Sequence, residues 1–297
     1  MKIQLLLEQF CHDSKYMRGV SHATTKRYQE NISNFMNSTG ISQTREINEK
    51  LMYQFFLDGR VHKNWKSQTF RTYFMSLLVF FRWCVKHNHL EENYVKNIQL
   101  PKNDKTLPKK LTKQEASKLL EISFNYPYTQ KYVRYRNYAL FSMFLFAGLR
   151  KNELLKLKLT DVDIENQTIF VKGKGNKERI VPMNSKLTFA LDRYLDYRKA
   201  SKKTCSEFFT SSNRNQGFTE SGLKRLILLM RKELKIHFKI HELRHTFATL
   251  MLEGGCDIYS LSKMMGHSDI KTTTIYLSAT AEHLRSQIVK HPLDTIL

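Results

Sequence analysis

Hydrophobic positions recur at helical spacing along most of the chain. In the clearest segment, which starts at Ser67, apolar residues follow one another at intervals of three and four: Phe70, Phe74, Leu77, Phe81 and Cys84. This spacing places them on one face and predicts a helix that packs against a core. Ser21 is a candidate N-cap for an earlier helix of the same kind. We therefore expect the first hundred residues to be all helical.

The later part of the chain mixes helices with a short stretch of β structure. The nearly all-apolar run from Asn137 to Gly148 predicts a buried helix that ends at the glycine. Between Thr168 and Met183, two β-branched runs flank a Gly-Lys-Gly-Asn turn, which predicts a hairpin. Further helices are expected over Ser185–Ala200, Thr219–Leu234, His241–Glu253 and Asp257–Met265. The predicted fold is mainly α, with a small antiparallel β-sheet in the C-terminal domain.

A connecting segment separates the two parts. Gln99–Leu111 contains two prolines and four lysines without apolar periodicity, which indicates an exposed, extended linker. Thr112 and Glu115 follow as a capping box that opens a helix. We therefore divide the chain into a domain at 1–100, a basic linker at 101–108 and a domain at 109–297.

The charge balance indicates a polyanionic partner. The 297 residues carry 49 Lys and Arg against 27 Asp and Glu, a formal net charge of +22. A solvated basic surface is one explanation, and nucleic acid as the working partner is the other. Lys26 and Arg27, on the first turns of the Ser21 helix, and Arg71, off the apolar stripe, are candidate DNA contacts or simply solvent-facing charges.

The cysteines and the apolar runs predict a cytoplasmic protein. Four cysteines lie far apart and form no C-x-x-C pair, which suits a reducing compartment: Cys11, Cys84, Cys205 and Cys256. The N-terminal apolar run is too short for a signal peptide. No stretch approaches the roughly 18 apolar residues of a membrane span, so no membrane partner is expected.

The segment His241–His245, with the sequence HELRH, has two interpretations. H-E-x-x-H is the zinc-protease pattern, but catalytic zinc needs a third protein ligand. Ala248 and Met251 stand where the extended motif would have Gly and His, and no pattern supports Glu282 as the third ligand. In the other interpretation, His241 and Arg244 grip a phosphate and no metal is involved.

Several other residues are candidates for phosphate chemistry. Arg150 follows a buried helix, and Glu153 lies three residues later, where its carboxylate could orient the Arg150 guanidinium. The pair is either a structural ion pair or part of a phosphate clamp. Lys174 lies between two glycines in the hairpin, His267 at a helix end, and Tyr276 nine residues later. Tyrosine, with a pKa of about 10, is a poor nucleophile unless cations stabilise its phenolate. Arginines and histidines supply that stabilisation, and a lysine can protonate a leaving oxygen.

Four segments carry a resemblance to a known family. In chain order they are FAGLRKNEL, VKGKGNKERIVPM, HELRHTFATLMLEGG and LSKMMGHSDIKTTTIYL. The sequence resembles the tyrosine recombinases of the phage integrase family, closest to the Xer type, along essentially the whole chain. It departs from the family at Ala147, Lys151 and Glu242, and we expect the Glu242 carboxylate to point away from the phosphate.

The resemblance implies a role for each residue of the set. Tyr276 would be the nucleophile that forms a 3′-phosphotyrosyl link. Arg150 and Arg244 would clamp the scissile phosphate. His241 and His267 would donate to its oxygens, and His241 is also a candidate to take the tyrosine proton.

The same resemblance assigns the hairpin lysine. Lys174 would protonate the leaving 5′-oxygen. Lys172 and Lys177 would contact DNA, and they replace Lys174 as the acid if the hairpin register differs. No cofactor and no metal are implied.

The resemblance also implies the assembly. A helical SAM-like core-binding domain and an α+β catalytic domain would clamp duplex DNA that carries inverted-repeat recombination sites. Four protomers would assemble on two paired sites. The tail, with Leu284, Ile288 and Leu293, would dock on a neighbouring protomer or pack on its own chain.

Other functions fit parts of the pattern. A DNA-binding protein that does not cut explains the charge but not Tyr276 and Lys174, and a type IB topoisomerase would share the chemistry. The sequence leaves open whether recombination serves integration, excision, inversion or chromosome dimer resolution. It also leaves open whether a partner recombinase or an accessory protein takes part.

Overall fold

The chain divides into two compact units, Met1–Lys105 and Thr106–Leu297. The computed structural model describes residues 1–102, 108–173, 178–267 and 269–276. Lys174, Lys177, Glu282 and the tail residues Leu284, Ile288 and Leu293 lie outside the described residues.

The first unit is helical, as the apolar pattern predicts. Its elements are α1 (Ile3–Tyr16), α2 (His22–Thr39), α3 (Glu49–Val61), α4 (Ser67–Lys86) and 3₁₀ turns at Thr44–Glu46 and Tyr94–Asn97. All five stripe residues of α4 are buried in a core rich in phenylalanine. The N-cap prediction is also confirmed, because Ser21 Oγ accepts a hydrogen bond from the Thr24 amide at 3.3 Å.

The second unit is mainly helical and contains a small antiparallel sheet. Its described elements are α5 (Lys113–Asn125), α6 (Lys131–Ser142), a π-helical turn (Met143–Ala147), α7 (Lys151–Lys156), a 3₁₀ turn (Leu159–Asp161), β1 (Val162–Asp163), β2 (Thr168–Lys172), β3 (Glu178–Pro182), α8 (Ser185–Ala200), α9 (Glu220–Leu234), α10 (Ile240–Glu253), α11 (Ile258–Met265) and α12 (Lys271–Thr274). The strands lie antiparallel in the order β1-β2-β3, and Lys172 pairs with Glu178 at the hairpin end. The predicted hairpin is confirmed. The pattern missed β1, which is too short to show periodicity.

The capping box predicted after the linker is present. Thr112 Oγ1 accepts from the Glu115 amide at 3.1 Å, and the Glu115 carboxylate accepts from the Thr112 amide at 2.7 Å. None of the described helices combines the length and the apolarity needed to cross a membrane.

Helix α6 differs from its prediction at its beginning. It starts at Lys131 rather than at Asn137. The apolar pattern does not indicate the first turns because basic residues interrupt it there. One of them, Arg136, is nevertheless buried, and its guanidinium donates to Asn137 Oδ1 at 2.9 Å and to the Thr210 carbonyl at 3.1 Å. Tertiary partners therefore make this cation compatible with the core, which a local pattern does not show.

The π-helical turn after α6 ends at a glycine that the packing requires. Gly148 has a φ of +60°, a conformation that favours glycine. A Cβ at this position would lie 2.2 Å from Phe247 Cδ1 on α10. The backbone therefore approaches α10 closely at this point and delivers Arg150, two residues later, to the same region.

Candidate active site

The HELRH segment forms the first turns of α10. The Glu242 carboxylate accepts a hydrogen bond from the Lys239 amide at 3.2 Å and so caps the helix. His241 and His245 lie one turn apart on the same face, with their ring centroids 4.5 Å apart. Burial, together with the positive charges of Arg244 and Arg150, lowers the pKa of His241.

Arg244 is the buried centre of the site. Its side chain is almost fully enclosed, yet its guanidinium donates to the Gly148 carbonyl and to the Met265 carbonyl, each at 2.5 Å. One planar group thus connects α10 to the end of the π-helical turn and to the end of α11. Arginine suits this role because its rigid fork supplies several donors in fixed directions.

Arg244 also determines the protonation of His267. Its Nη2 lies 3.1 Å from His267 Nε2, and a guanidinium only donates, so Nε2 is the acceptor. The imidazole proton is therefore on Nδ1, 2.8 Å from Thr273 Oγ1, which accepts it. Burial, together with the positive charges of Arg244 and Arg150, lowers the pKa of His267 to about 4.

A buried carboxylate orients two arginines at the edge of the site. Glu153 accepts from Arg150 Nη1 at 2.7 Å, as the sequence suggested, and it also receives both Nη atoms of Arg179 from β3, at 2.8 and 3.0 Å. Arg150 Nη2 reaches the Gly266 carbonyl at 3.0 Å, and the Arg150 side chain keeps 38% of its surface exposed. Burial alone would raise the pKa of Glu153, but the hydrogen bonds from Arg179 and Arg150 lower it to about 2.

Replacement of Glu153 by Gln should destabilise the protein in a pH-dependent way. The depressed pKa, about 2 against an ordinary 4.5, corresponds to a stabilisation on the order of 3 kcal/mol at pH 7. Because ionised Glu153 is the stabilising form, the difference between the parent and Glu153→Gln should shrink as the pH falls below 4.5 and vanish below about 2. Thermal unfolding of both chains across this range measures it.

A matched control is available on the surface. Glu220 accepts from Lys151 at 2.8 Å but is exposed, so Glu220→Gln should leave stability nearly unchanged because water and salt screen such pairs. A Glu153→Gln chain that is as stable as the parent at pH 7 would contradict the assignment of Glu153 as the anchor of Arg150 and Arg179.

Tyr276 lies against His245, not against His241. The Tyr276 hydroxyl is 2.7 Å from His245 Nδ1, and the tyrosine side chain is buried among α10 and α11 residues. Burial raises the pKa of Tyr276, and the positive charges of Arg244 and Arg150 counter part of that rise. The hydroxyl is therefore a protonated phenol near cations that would stabilise its phenolate.

The structure brings most of the predicted catalytic set together. Arg150, His241, Arg244, His267 and Tyr276 share one region of the second unit. The hairpin that carries Lys174 and Lys177 is described only up to its strand ends, where Lys172 is exposed.

The predicted DNA contacts of the first unit lie on its helices. Arg27 is exposed, and Lys26 is exposed with its Nζ 3.9 Å from Glu30. Arg71 is half-buried and donates to the Pro101 carbonyl at 2.7 Å, so it connects α4 to the start of the predicted linker. Contact of all three with DNA stays a prediction.

Sequence reasoning missed three residues of the site. Arg179 follows a glutamate in the hairpin and Thr273 stands in a threonine run, and neither position has a distinctive local pattern. In the sequence, His245 stands out only as the second histidine of the zinc-protease pattern. Its spacing of four from His241 was the available signal, because that spacing puts both imidazoles on one helix face.

The zinc-protease alternative finds no support. Within the described ranges, no group of three His, Cys, Asp or Glu side chains is placed to hold a metal ion. The second histidine of the pattern instead has its Nδ1 on the Tyr276 hydroxyl.

Comparisons with known proteins show the family to which the chain belongs. The phage integrase family matches residues 109–283, and the phage integrase N-terminal SAM-like domain matches residues 6–90. Tyrosine recombinase XerC of Oceanobacillus iheyensis is 30% identical, with 98% of this chain and 97% of that protein covered. Tyrosine recombinase XerD of Listeria innocua is 31% identical, with 94% and 96% covered.

A solved structure supports the same relationship. The chain is similar to the XerH site-specific recombinase bound to difH substrate in a pre-cleavage complex, with a TM-score of 0.72 and 25% identity. That alignment covers 96% of this chain and 83% of the other. This chain therefore belongs to the phage integrase family and is a Xer-like tyrosine recombinase.

Proposed function

We propose that this protein is a site-specific DNA recombinase that cuts and rejoins duplex DNA through a covalent 3′-phosphotyrosyl intermediate. The observation that carries the proposal is the placement of Arg150 and Arg244 near the buried hydroxyl of Tyr276. Cations around a phenol favour its ionisation and attract a phosphate to the same place. Family membership supports the same chemistry.

The proposed reaction is a transesterification. Tyr276 Oη attacks the scissile phosphorus, and the bond from phosphorus to the 5′-oxygen breaks as the Oη–P bond forms. Lys174 protonates the leaving oxygen, and Arg150 and Arg244 bind the non-bridging oxygens. The phosphotyrosine conserves the bond energy, so a 5′-hydroxyl reverses the step and religation requires neither a metal nor a nucleotide.

His241 and His267 are proposed to donate hydrogen bonds to the phosphate. His267 Nε2 accepts from Arg244 in the described arrangement, so it must gain a proton before it can donate. A bound phosphate favours this change because its negative charge raises the pKa of a neighbouring imidazole. His267 would therefore become a donor only when the substrate is in place.

The proposed assembly uses both units of the chain. The domains at 1–100 and 109–297, joined by the linker at 101–108, would clamp duplex DNA that carries inverted-repeat sites, with four protomers on two paired sites. The net charge of +22 would attract the phosphate backbone, and the exposed Lys26, Arg27 and Lys172 would contact it. Lys177 and Arg71 would be further contacts. We place the reaction in the cytoplasm, where the DNA lies and the four free cysteines stay reduced.

Covalent capture tests the proposed function. The chain is expressed in its source organism and denatured rapidly, and the protein-linked DNA is precipitated and sequenced. We expect enrichment of a defined site and, after nuclease and trypsin digestion, a nucleotide mass on the peptide that contains Tyr276. Reversible DNA binding without any adduct would instead favour a DNA-binding protein that does not cut. An adduct on another residue would refute the assignment of Tyr276 as the nucleophile.

A further inference from the structure

His245 is in close contact with the proposed nucleophile. His245 Nδ1 lies 2.7 Å from the hydroxyl oxygen of Tyr276, which is the atom that would attack phosphorus. The ring centroids of the two residues are 5.5 Å apart. His245 is on α10 one residue after Arg244, so the helix that buries the arginine also holds this imidazole.

The surroundings of this pair keep both partners neutral. Burial, together with the positive charges of His241 and Arg244, lowers the pKa of His245 to about 4. Burial raises the pKa of Tyr276, and Arg244 and Arg150 counter part of that rise. A neutral imidazole has one acceptor nitrogen, and a phenol hydroxyl is a suitable donor to it.

His245 is better placed than His241 to receive the tyrosine proton. A general base must be within hydrogen-bond reach of the proton it takes, about 2.6 to 3.2 Å between heavy atoms. His245 meets that requirement, with its Nδ1 at the hydroxyl itself. His241 packs edge-on against the His245 ring instead.

On the basis of the function proposed above, we propose that His245 positions the Tyr276 hydroxyl and accepts its proton during strand cleavage. The Oη–H bond breaks and the proton moves to His245 Nδ1 while the Oη–P bond forms. The bond from phosphorus to the 5′-oxygen then breaks, and that oxygen takes its proton from Lys174. In religation the same proton returns from His245 to Tyr276 as the Oη–P bond breaks.

The weak basicity of His245 determines how the transfer occurs. Full ionisation of the phenol before attack would be strongly unfavourable, so the proton must move as phosphorus takes up the electron pair of the oxygen. The developing charge then spreads over the phosphate, where Arg150 and Arg244 stabilise it. A weakly basic imidazole also gives the proton back readily, which suits a reaction that must run in both directions.

The pH dependence of cleavage by a His245→Asn chain tests the proposal. Asn places an amide near the position of Nδ1 and can hold the hydroxyl, but it cannot take a proton. On a nicked duplex that carries the DNA site identified by covalent capture, the single-turnover rate of adduct formation should be about 10²-fold lower than that of the parent at pH 7. Because cleavage would then require pre-formed phenolate, the deficit should shrink about tenfold per pH unit between pH 7 and pH 9.

The parent chain gives the complementary result. Its rate should not rise with pH between pH 7 and pH 9, because the pKa of His245, about 4, lies well below this range, so a neutral imidazole takes the proton and no pre-formed phenolate is needed. A parent rate that rises tenfold per pH unit would overturn the proposal, and this measurement does not depend on the folding of any variant. A His245→Asn deficit that is equal at every pH, or no deficit, would also overturn it.

The outcomes separate this inference from the proposed function. If the parent forms no adduct, the proposed function fails. If the parent forms an adduct and His245→Asn forms it as fast, only the role of His245 fails.

Discussion

A Tyr276→Phe chain is expected to bind DNA as the parent does and to form no covalent adduct. The substitution removes only the hydroxyl oxygen, and loss of a nucleophile typically lowers a rate by on the order of 10⁴-fold or more. The aromatic ring keeps its packing among the α10 and α11 residues. The substitution also removes the hydrogen bond to His245, which should cost about 1 kcal/mol of stability. Adduct formation on a nicked duplex, separated on a denaturing gel, measures the loss.

Tyr259 provides the matched control. It lies on α11 in the same unit and is 60% exposed, so Tyr259→Phe removes a tyrosine hydroxyl away from the buried site. This chain should cleave at the parent rate. Adduct formation by Tyr276→Phe at the rate of the Tyr259→Phe chain would refute the assignment of Tyr276 as the nucleophile. Loss of DNA binding together with loss of cleavage would instead indicate a structural defect.

Replacement of Arg244 by Lys is expected to cause the second largest loss. Lysine keeps the charge but lacks the planar fork, so it cannot reach the Gly148 carbonyl, the Met265 carbonyl and a phosphate together. Removal of one pre-organised donor to a transition-state oxygen costs about 10² to 10³ in rate. Unpaired buried carbonyls should also lower stability by about 1 to 3 kcal/mol. Single-turnover cleavage at saturating DNA and thermal unfolding measure the two effects.

Arg231 separates the structural part of this loss from the catalytic part. Its Nε donates to the Phe238 carbonyl at 2.6 Å, so Arg231→Lys also removes a carbonyl contact in the same unit, and Arg231 has no part in the proposed chemistry. We expect Arg231→Lys to lower stability and to leave the cleavage rate intact. If Arg244→Lys cleaved as fast as Arg231→Lys, the phosphate clamp assigned to Arg244 would be wrong.

Local sequence patterns predict most of the described secondary structure. The α4 stripe, the capping box at Thr112 and the hairpin from Thr168 to Met183 depend on residues within one or two turns of each other, so periodicity and capping chemistry are sufficient to predict them. Local patterns do not predict the first turns of α6, because the basic residues there find partners, such as the Thr210 carbonyl, that are distant in sequence.

The sequence by itself determined the candidates, because tyrosine, arginine, histidine and lysine side chains carry the nucleophilic, cationic and acid–base groups of this chemistry wherever they lie in the fold. Tertiary structure decided what each one does. It joined Glu153 to Arg179 across 26 residues, Arg244 to Gly148 across 96, and His245 to Tyr276 across 31. The physical reason is that burial and hydrogen-bond direction set protonation and orientation, and both depend on which distant segments pack together. The same HELRH motif therefore fits a metal site by pattern, yet in the folded chain its second histidine contacts a tyrosine.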